Sequence, residues 1–250
     1  MKNELKKNDF SVSLEIFPPK KEEEFAGAFE LLDKLALLNP DFISVTYGAG
    51  GSRSKKTVEM TSYIKNTLHI PALAHLTCVG NTKKDIDTVV ADLKAAGINN
   101  VLALRGDRPA YMTDEQYNAR EFEHASDMIS YLKETTDFEI SAACYPEKHF
   151  EAASFTDDIK FLKQKVDLGV EQLISQLFFD NDMFYSFEEM TQIAGITVPI
   201  CAGIMPITTS KQLGTTVSLS GSSVPKKLAD LIATYDDNPE DMRKAGIEYA

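Results

Sequence analysis

Cysteine is scarce and unpatterned in this chain. Cys78, Cys144 and Cys201 lie far apart, are odd in number and form no C-x-x-C pair. That argues against a disulfide framework or a structural zinc site and for reduced thiols. Positive charge is also short: 26 Lys and Arg face 38 Asp and Glu, for a formal net charge of −12. Nucleic-acid binding needs a basic footprint, so it is not expected. No run approaches the roughly 18 apolar residues of a membrane span. The opening "MKNELKKNDF" has no apolar h-region, so no signal peptide is expected, and the cytoplasm is the expected compartment.

Several catalytic signatures are missing. "YGAGGSRS" is glycine-rich after a strand pattern, but Arg53 stands where a G-x-G-x-x-G fingerprint needs its third glycine. No acidic strand end follows at about 20 residues, which argues against a Rossmann dinucleotide site. There is no Walker phosphate loop and no G-x-S-x-G elbow. His69, His75, His124 and His149 form no H-E-x-x-H pair, so no metal is expected.

What is present is a core-forming pattern, with 43% hydrophobic residues in 250. Seven β-rich runs recur along the chain: 11–17, 42–47, 72–78, 100–105, 139–145, 172–179 and 199–205. Helical patterns lie between them, at 22–38, 54–68, 82–96, 120–135, 154–168 and 182–194. Thr82 and Ser154 are candidate N-caps, and Gly97 and Gly169 are stop signals. The tail from 208 reads as helix, broken at "SGSSVP" and "DDNP". Strand–helix alternation implies a parallel sheet, because parallel strands need long crossovers. The expected fold is α/β, a (β/α)8 TIM-type barrel in one domain, 1–250, with a doubly wound sheet as its rival. Only seven strands are read, and the chain stops at Ala250 inside a helical pattern, so an eighth strand is expected to be lacking.

Polar residues gather at the strand C-termini. Alternation sets Glu15, Thr46, His75, Arg105, Tyr145 and Gln176 at matching positions, with Asp107 just beyond. Taken singly, each has a plain reading. Glu15 is a solvated face residue, His75 a bonded core histidine, Arg105 and Asp107 an ion pair, and Gln176 a cap for a carbonyl. Their common placement at the end where barrel active sites lie favours a site. It also explains charges at the end of "VLALRGDRP" better than an adhesive Arg-Gly-Asp, which matters only outside the cell.

The ordered motifs "SLEIFPPK", "ISVTYGAG", "AHLTC", "LALRGDRP", "AACYPEKH" and "SQLFFD" resemble those of the methylenetetrahydrofolate reductases, across essentially the whole chain. The resemblance implies a (β/α)8 barrel carrying FAD. A hydride would pass from NADH or NADPH to the flavin, then to 5,10-methylenetetrahydrofolate, giving 5-methyltetrahydrofolate. By position, Glu15 matches the general acid that protonates the folate nitrogen as the ring opens, and a raised pKa is expected of it. Asp107 matches an aspartate near the flavin that also engages the pterin. Gln176 matches a substrate-contacting glutamine. Thr46, Tyr47, Ala49, His75, Arg105, Gly106, Asp107, Ala125, Tyr145, His149, Ala152, Asp158, Gln164 and Lys165 match FAD-contacting positions. Two departures stand out. Ser210 occupies a place where some relatives carry a stacking aromatic residue. Family members also continue through another helix and an eighth strand. The resemblance therefore leaves three alternatives: the sequence is an incomplete version, the barrel is open with an edge at which self-association is expected, or another chain closes it. A non-catalytic barrel remnant that binds FAD or a partner is the alternative to an enzyme.

Overall fold

The computed structural model describes residues 10–19, 21–47 and 51–250. All seven expected strands form: β1 (Ser13–Ile16), β2 (Phe42–Val45), β3 (Ala72–Thr77), β4 (Asn100–Leu104), β5 (Glu139–Cys144), β6 (Gln172–Ser175) and β7 (Ile200–Cys201). They are hydrogen-bonded in chain order, β1 through β7, in a seven-stranded sheet. Helices fill the crossovers: α1 (Phe25–Ala36), α2 (Gly51–Asn66), α3 (Lys83–Ala95), α4 (Asp114–Asn118), α5 (Ala125–Thr135), α6 (Phe155–Asp167) and α7 (Asn181–Ile193). Three more follow β7, namely α8 (Ser210–Ser220), α9 (Lys226–Tyr235) and α10 (Pro239–Tyr249). This is an α/β fold of TIM-barrel type, and no eighth strand occurs among the described residues. No helix among them is long and apolar enough to cross a membrane.

The ends of the elements follow local chemistry. Thr82 caps α3 in a reciprocal box: its hydroxyl accepts from Asp85 N at 3.2 Å, and Asp85 Oδ2 accepts from Thr82 N at 2.9 Å. At the start of α6, Ser154 Oγ accepts from Asp157 N at 3.1 Å. Gly97 and Gly169 stop these helices at φ +72° and +103°. The pattern over 120–135 yields helix only from Ala125. The reason is that Asp127 Oδ2 accepts from the backbone of Glu123 and of His124, each at 2.8 Å, which fixes that stretch as an extended cap.

Two compact units divide the chain: Met1–Ala142 with Leu168–Glu171, and Ala143–Asp167 with Gln172–Ala250. In the first, Glu15 is registered with Ser44, Ser44 with Leu73, His75 with Leu102, and Leu102 with Ser141. These residues share one face of the strands. The other face carries Ile43, Val45, Ala74, Leu76, Val101 and Ile140, all at most 1% exposed. Met60 and Ile64 of α2, Ile86 and Leu93 of α3 and Leu132 of α5 join this core and are equally buried. Each such Val, Ile, Leu or Met side chain contributes about 1.5–3 kcal/mol by leaving water. The apolar core thus fixes the register that sets Glu15, Ser44 and His75 side by side.

The register corrects one expectation. The face of His75 is continued in β4 by Leu102 and Leu104, not by Arg105. Arg105 follows the last strand residue, so alternation no longer governs where its side chain points.

In the second unit, Ile207, Leu228 and Met242 form a small core with Phe179, Met205, Leu213, Leu231, Ile232 and Tyr249 around it. Gly246 of α10 lies so close to the chain that a Cβ there would meet Ile207 O at 1.8 Å. Tyr249 donates to Phe179 O at 2.7 Å. The "SGSSVP" break docks as well: Ser222 Oγ donates to Leu177 O at 2.5 Å, and Ser223 N donates to Glu147 Oε2 at 3.0 Å.

Candidate active site

In the first unit, Glu15 stands on β1 with its side chain 44% exposed, next to a His75 side chain that is 7% exposed. Both neighbours approach the same carboxylate oxygen. Ser44 Oγ donates to Oε2 at 3.3 Å, and His75 Nε2 lies 3.4 Å from Oε2. Among the described residues His75 Nε2 makes no hydrogen bond, so this buried polar atom is left with the 3.4 Å approach to Oε2 alone. Burial acts to raise the Glu15 pKa. The close imidazole of His75, together with the Ser44 hydroxyl, outweighs it and holds the carboxyl below its ordinary 4.5. The raised pKa expected from an apolar setting is therefore not found, because the neighbours on β2 and β3 are polar.

Thr46 and Tyr47 follow β2. Thr46 N donates to Ile16 O at 3.0 Å, and Thr46 O accepts from Thr57 Oγ1 at 2.9 Å, so the segment is fixed from both sides. Burial raises the Tyr47 phenol, opposed by hydrogen bonds with Ser54 and Asn81. Ala49 lies outside the described residues. Gly106 adopts φ +81°, and a Cβ there would meet Val79 Cγ1 at 2.9 Å and Thr77 Cβ at 3.0 Å. Glycine is thus required by conformation and by close approach together. Arg105 O accepts from Val79 N at 2.8 Å, and the Arg105 Nε donates to Gly106 O at 3.4 Å. Asp107 is exposed in the loop beyond, and Ala125 opens α5.

In the second unit, Tyr145, His149, Ala152 and Asp158 come together. His149 N donates to Asp158 Oδ2 at 3.1 Å, and Ala152 N donates to His149 O at 3.0 Å. His149 stacks on the exposed Phe150, with ring centroids 4.6 Å apart, and meets Tyr145 edge-on at 4.7 Å. Its Nδ1 accepts from Glu151 N at 3.2 Å, which assigns a ring proton to Nε2. Lys165 donates from Nζ to Ala143 O at 2.6 Å. Burial lowers the Lys165 pKa from its ordinary 10.5, opposed by Cys144 and Asp158. Gln176 Oε1 accepts from Leu177 N at 2.9 Å, so the amide NH2 is the group left to meet a ligand. Gln164 is exposed on α6 and joins none of these contacts.

The remaining chemistry is quiet. The thiols of Cys78 and Cys144 are each pushed up to about 12, chiefly by burial, so neither is a nucleophile at neutral pH. Among the described residues no group of three or more His, Cys, Asp or Glu could hold a metal ion. Sequence reasoning did not single out Ser44 or the Ser222–Ser223 turn. Ser44 was legible in principle, since alternation puts it on the face of Thr46. The turn carried no signal, because its contacts are with distant loops.

In the first unit, a buried imidazole nitrogen, a glycine turn beside a strand end and the Arg105 guanidinium are groups that suit a polar, anionic cofactor. In the second unit, the Lys165 ammonium is a further cation of that kind.

Comparison with known proteins identifies the family. The family model described as methylenetetrahydrofolate reductase matches residues 1–250. The chain is 35% identical over 240 residues to the 5,10-methylenetetrahydrofolate reductase of Escherichia coli (strain K12), covering 96% of this chain and 79% of that protein. It is also 35% identical over 246 residues to the probable methylenetetrahydrofolate reductase (NADH) of Oryza sativa subsp. japonica, covering 94% of this chain but 41% of that one. Among solved structures, a Clostridium thermocellum protein that binds two copies of 5-methyl-5,6,7,8-tetrahydrofolic acid superposes with a TM-score of 0.64 at 14% identity, over 99% of this chain and 85% of that one. That likeness concerns the fold. The match along the full chain settles the family: the chain belongs to the methylenetetrahydrofolate reductases, a family of oxidoreductases.

Proposed function

We propose that this protein reduces 5,10-methylenetetrahydrofolate to 5-methyltetrahydrofolate with a bound FAD and a reduced nicotinamide donor. The observation that carries the reading is the Glu15 carboxyl at a strand end, contacted on one oxygen by Ser44 and His75, within a chain of this family. Both contacts fall on Oε2, so Oε1 is the oxygen left to face the folate.

Bound FAD supplies the hydride relay between donor and folate. The chain's own part is to bind, orient and protonate. Glu15 gives its proton to the folate nitrogen whose C–N bond opens, and the electron pair of that bond stays on the nitrogen. The resulting iminium carbon then accepts hydride. Asp107 offers acceptor oxygens to the amino donors of the pterin, and Gln176 offers its amide NH2. In the first unit Thr46, Tyr47, Ala49, His75, Arg105, Gly106, Asp107 and Ala125 are the proposed flavin contacts. In the second they are Tyr145, His149, Ala152, Asp158, Gln164 and Lys165.

The test is direct. Purified protein reconstituted with FAD is expected to show a flavin absorption band that NADH or NADPH bleaches anaerobically, with 5-methyltetrahydrofolate appearing when substrate is added. Protein that takes up FAD and forms no methyl product would overturn the reading.

A further inference from the structure

The proposed reaction needs the Glu15 carboxyl turned one way, and Glu15 alone does not set that. Its side chain is 44% exposed, and the terminal torsion of a glutamate is broad, so a free carboxyl presents either oxygen. The group that sets the turn is on the next strand. Ser44 is registered with Glu15 across the β1–β2 pair and is 3% exposed. A buried hydroxyl needs a partner, and Ser44 Oγ donates to Glu15 Oε2 at 3.3 Å. Its neighbours Ile43 and Val45 are 0% exposed in the apolar core, which fixes the strand that carries the hydroxyl. A donor on a buried strand keeps its aim better than one on a loop. The His75 ring, 3.4 Å from Oε2, approaches the same oxygen from β3.

We propose that Ser44 is a positioning residue for the reduction: its hydroxyl holds Oε2 of Glu15 and so makes Oε1 the oxygen that carries the acid proton to the folate. The inference rests on the proposed folate chemistry. An oxygen that accepts from a hydroxyl is the carbonyl oxygen of the protonated carboxyl, so the acid proton stands on the other oxygen. Water reaches the exposed carboxyl and supplies that proton to Oε1. In the reaction the Oε1–H bond breaks, its proton goes to the folate nitrogen, and the electron pair stays on Oε1. Ser44 keeps its own proton throughout. Were Ser44 only a satisfied core hydroxyl, it would matter to stability and not to the chemical step.

The experiment is a double-mutant cycle on FAD-reconstituted protein, comparing the parent, Ser44→Ala, Glu15→Gln and the two combined. The flavin is reduced photochemically, which bypasses the nicotinamide step. Reoxidation by saturating methylenetetrahydrofolate is followed by stopped flow per bound flavin. Ser44→Ala is expected to be at least about tenfold slower than the parent, because a misaimed catalytic group loses rate steeply, with apparent folate affinity and flavin content kept. In the Glu15→Gln background the same substitution is expected to cost nothing further, because Ser44 acts only through the acid. A parent-like rate in Ser44→Ala, or the same loss repeated in the Glu15→Gln background, would overturn the proposal. Ser44→Thr restores a hydroxyl and is expected to recover most of the rate; a folded threonine variant as slow as Ser44→Ala also overturns it. Carbon NMR of the Glu15 carboxyl in flavin-free protein gives a readout apart from activity. The carboxyl faces Ser44 from β2 and His75 from β3, and His75 is unchanged in these variants. The Ser44 hydrogen bond favours the ionised carboxyl, so Ser44→Ala is expected to move its titration upward, and an unmoved titration counts against the contact and the proposal with it. If Glu15→Gln itself reoxidises at the parent rate, the acid assignment fails. If Glu15→Gln is slow and Ser44→Ala is not, the acid stands and the role of Ser44 alone is wrong.

Discussion

His75 Nε2 lies 3.4 Å from Glu15 Oε2, although β2 separates the strands that carry them. Ser44, on that intervening strand, donates to the same oxygen at 3.3 Å. Three adjacent strands thus converge on one atom, and the carboxyl is held by the fold rather than by a loop. Glu15→Gln is expected to keep FAD bound and reducible by the nicotinamide donor. Folate reduction should fall by about 10²–10⁴, the usual worth of a general acid. Separate rates for donor oxidation and methyl product formation check it.

The same contacts give a pH dependence of stability. The folded pKa of Glu15 is depressed, so its contribution is present above the ordinary 4.5 and is lost as pH falls through the lower folded value. Glu15→Gln should flatten that acid limb slightly. The effect is small because the side chain is 44% exposed and screened by solvent. Urea midpoints collected through the acid range would show a shallower decline in the variant than in the parent.

Gly106→Ala should destabilise the protein by more than about 1 kcal/mol, since an L side chain is strained at positive φ. The new Cβ would also come within 2.9 Å of Val79 Cγ1. The midpoint of urea unfolding should drop, and FAD affinity should drop with it. An unchanged midpoint would show that the turn relaxes freely.

Lys165→Met should do the opposite to stability. Burial of the ammonium group lowers the Lys165 pKa, so the charged form is costly in the folded state. Between its lowered folded value and the ordinary 10.5, the parent gains stability as pH rises; the variant should lack that slope and be more stable at neutral pH. FAD affinity should fall, because a cation for the cofactor is removed. Thermal melts and flavin titration together test the trade-off.

Asp107→Asn should weaken folate binding and shift the flavin potential, while Arg105→Ala should chiefly loosen FAD. Asp107 is exposed past the Gly106 turn, whereas Arg105 is held at the strand end by its backbone bond to Val79. Spectroelectrochemistry and substrate titration of the two variants distinguish these effects.

Much of this was legible in the sequence because the apolar alternation of β2, β3 and β5 is strong enough to fix strand, face and register at once. Thr82 and Gly97 marked α3 for the same reason: a cap and a left-handed stop are local chemistry. Other features depended on contacts that no local pattern records. The short α4 was passed over, though Thr113 and Gln116 form a reciprocal cap that spacing could have revealed. Arg105 was assigned by strand parity one residue past the point where parity applies. The direction of the Glu15 shift was misread because burial was weighed without the His75 and Ser44 neighbours that only the register supplies.

Anaerobic reoxidation of pre-reduced, FAD-reconstituted protein by 5,10-methylenetetrahydrofolate tests the central claim most directly. The account predicts that the parent recovers its oxidised flavin band in step with formation of 5-methyltetrahydrofolate, and that Glu15→Gln at equal flavin content recovers it at least about a hundredfold more slowly. Equal rates in parent and variant, or a parent whose reduced flavin is indifferent to the folate, would contradict it.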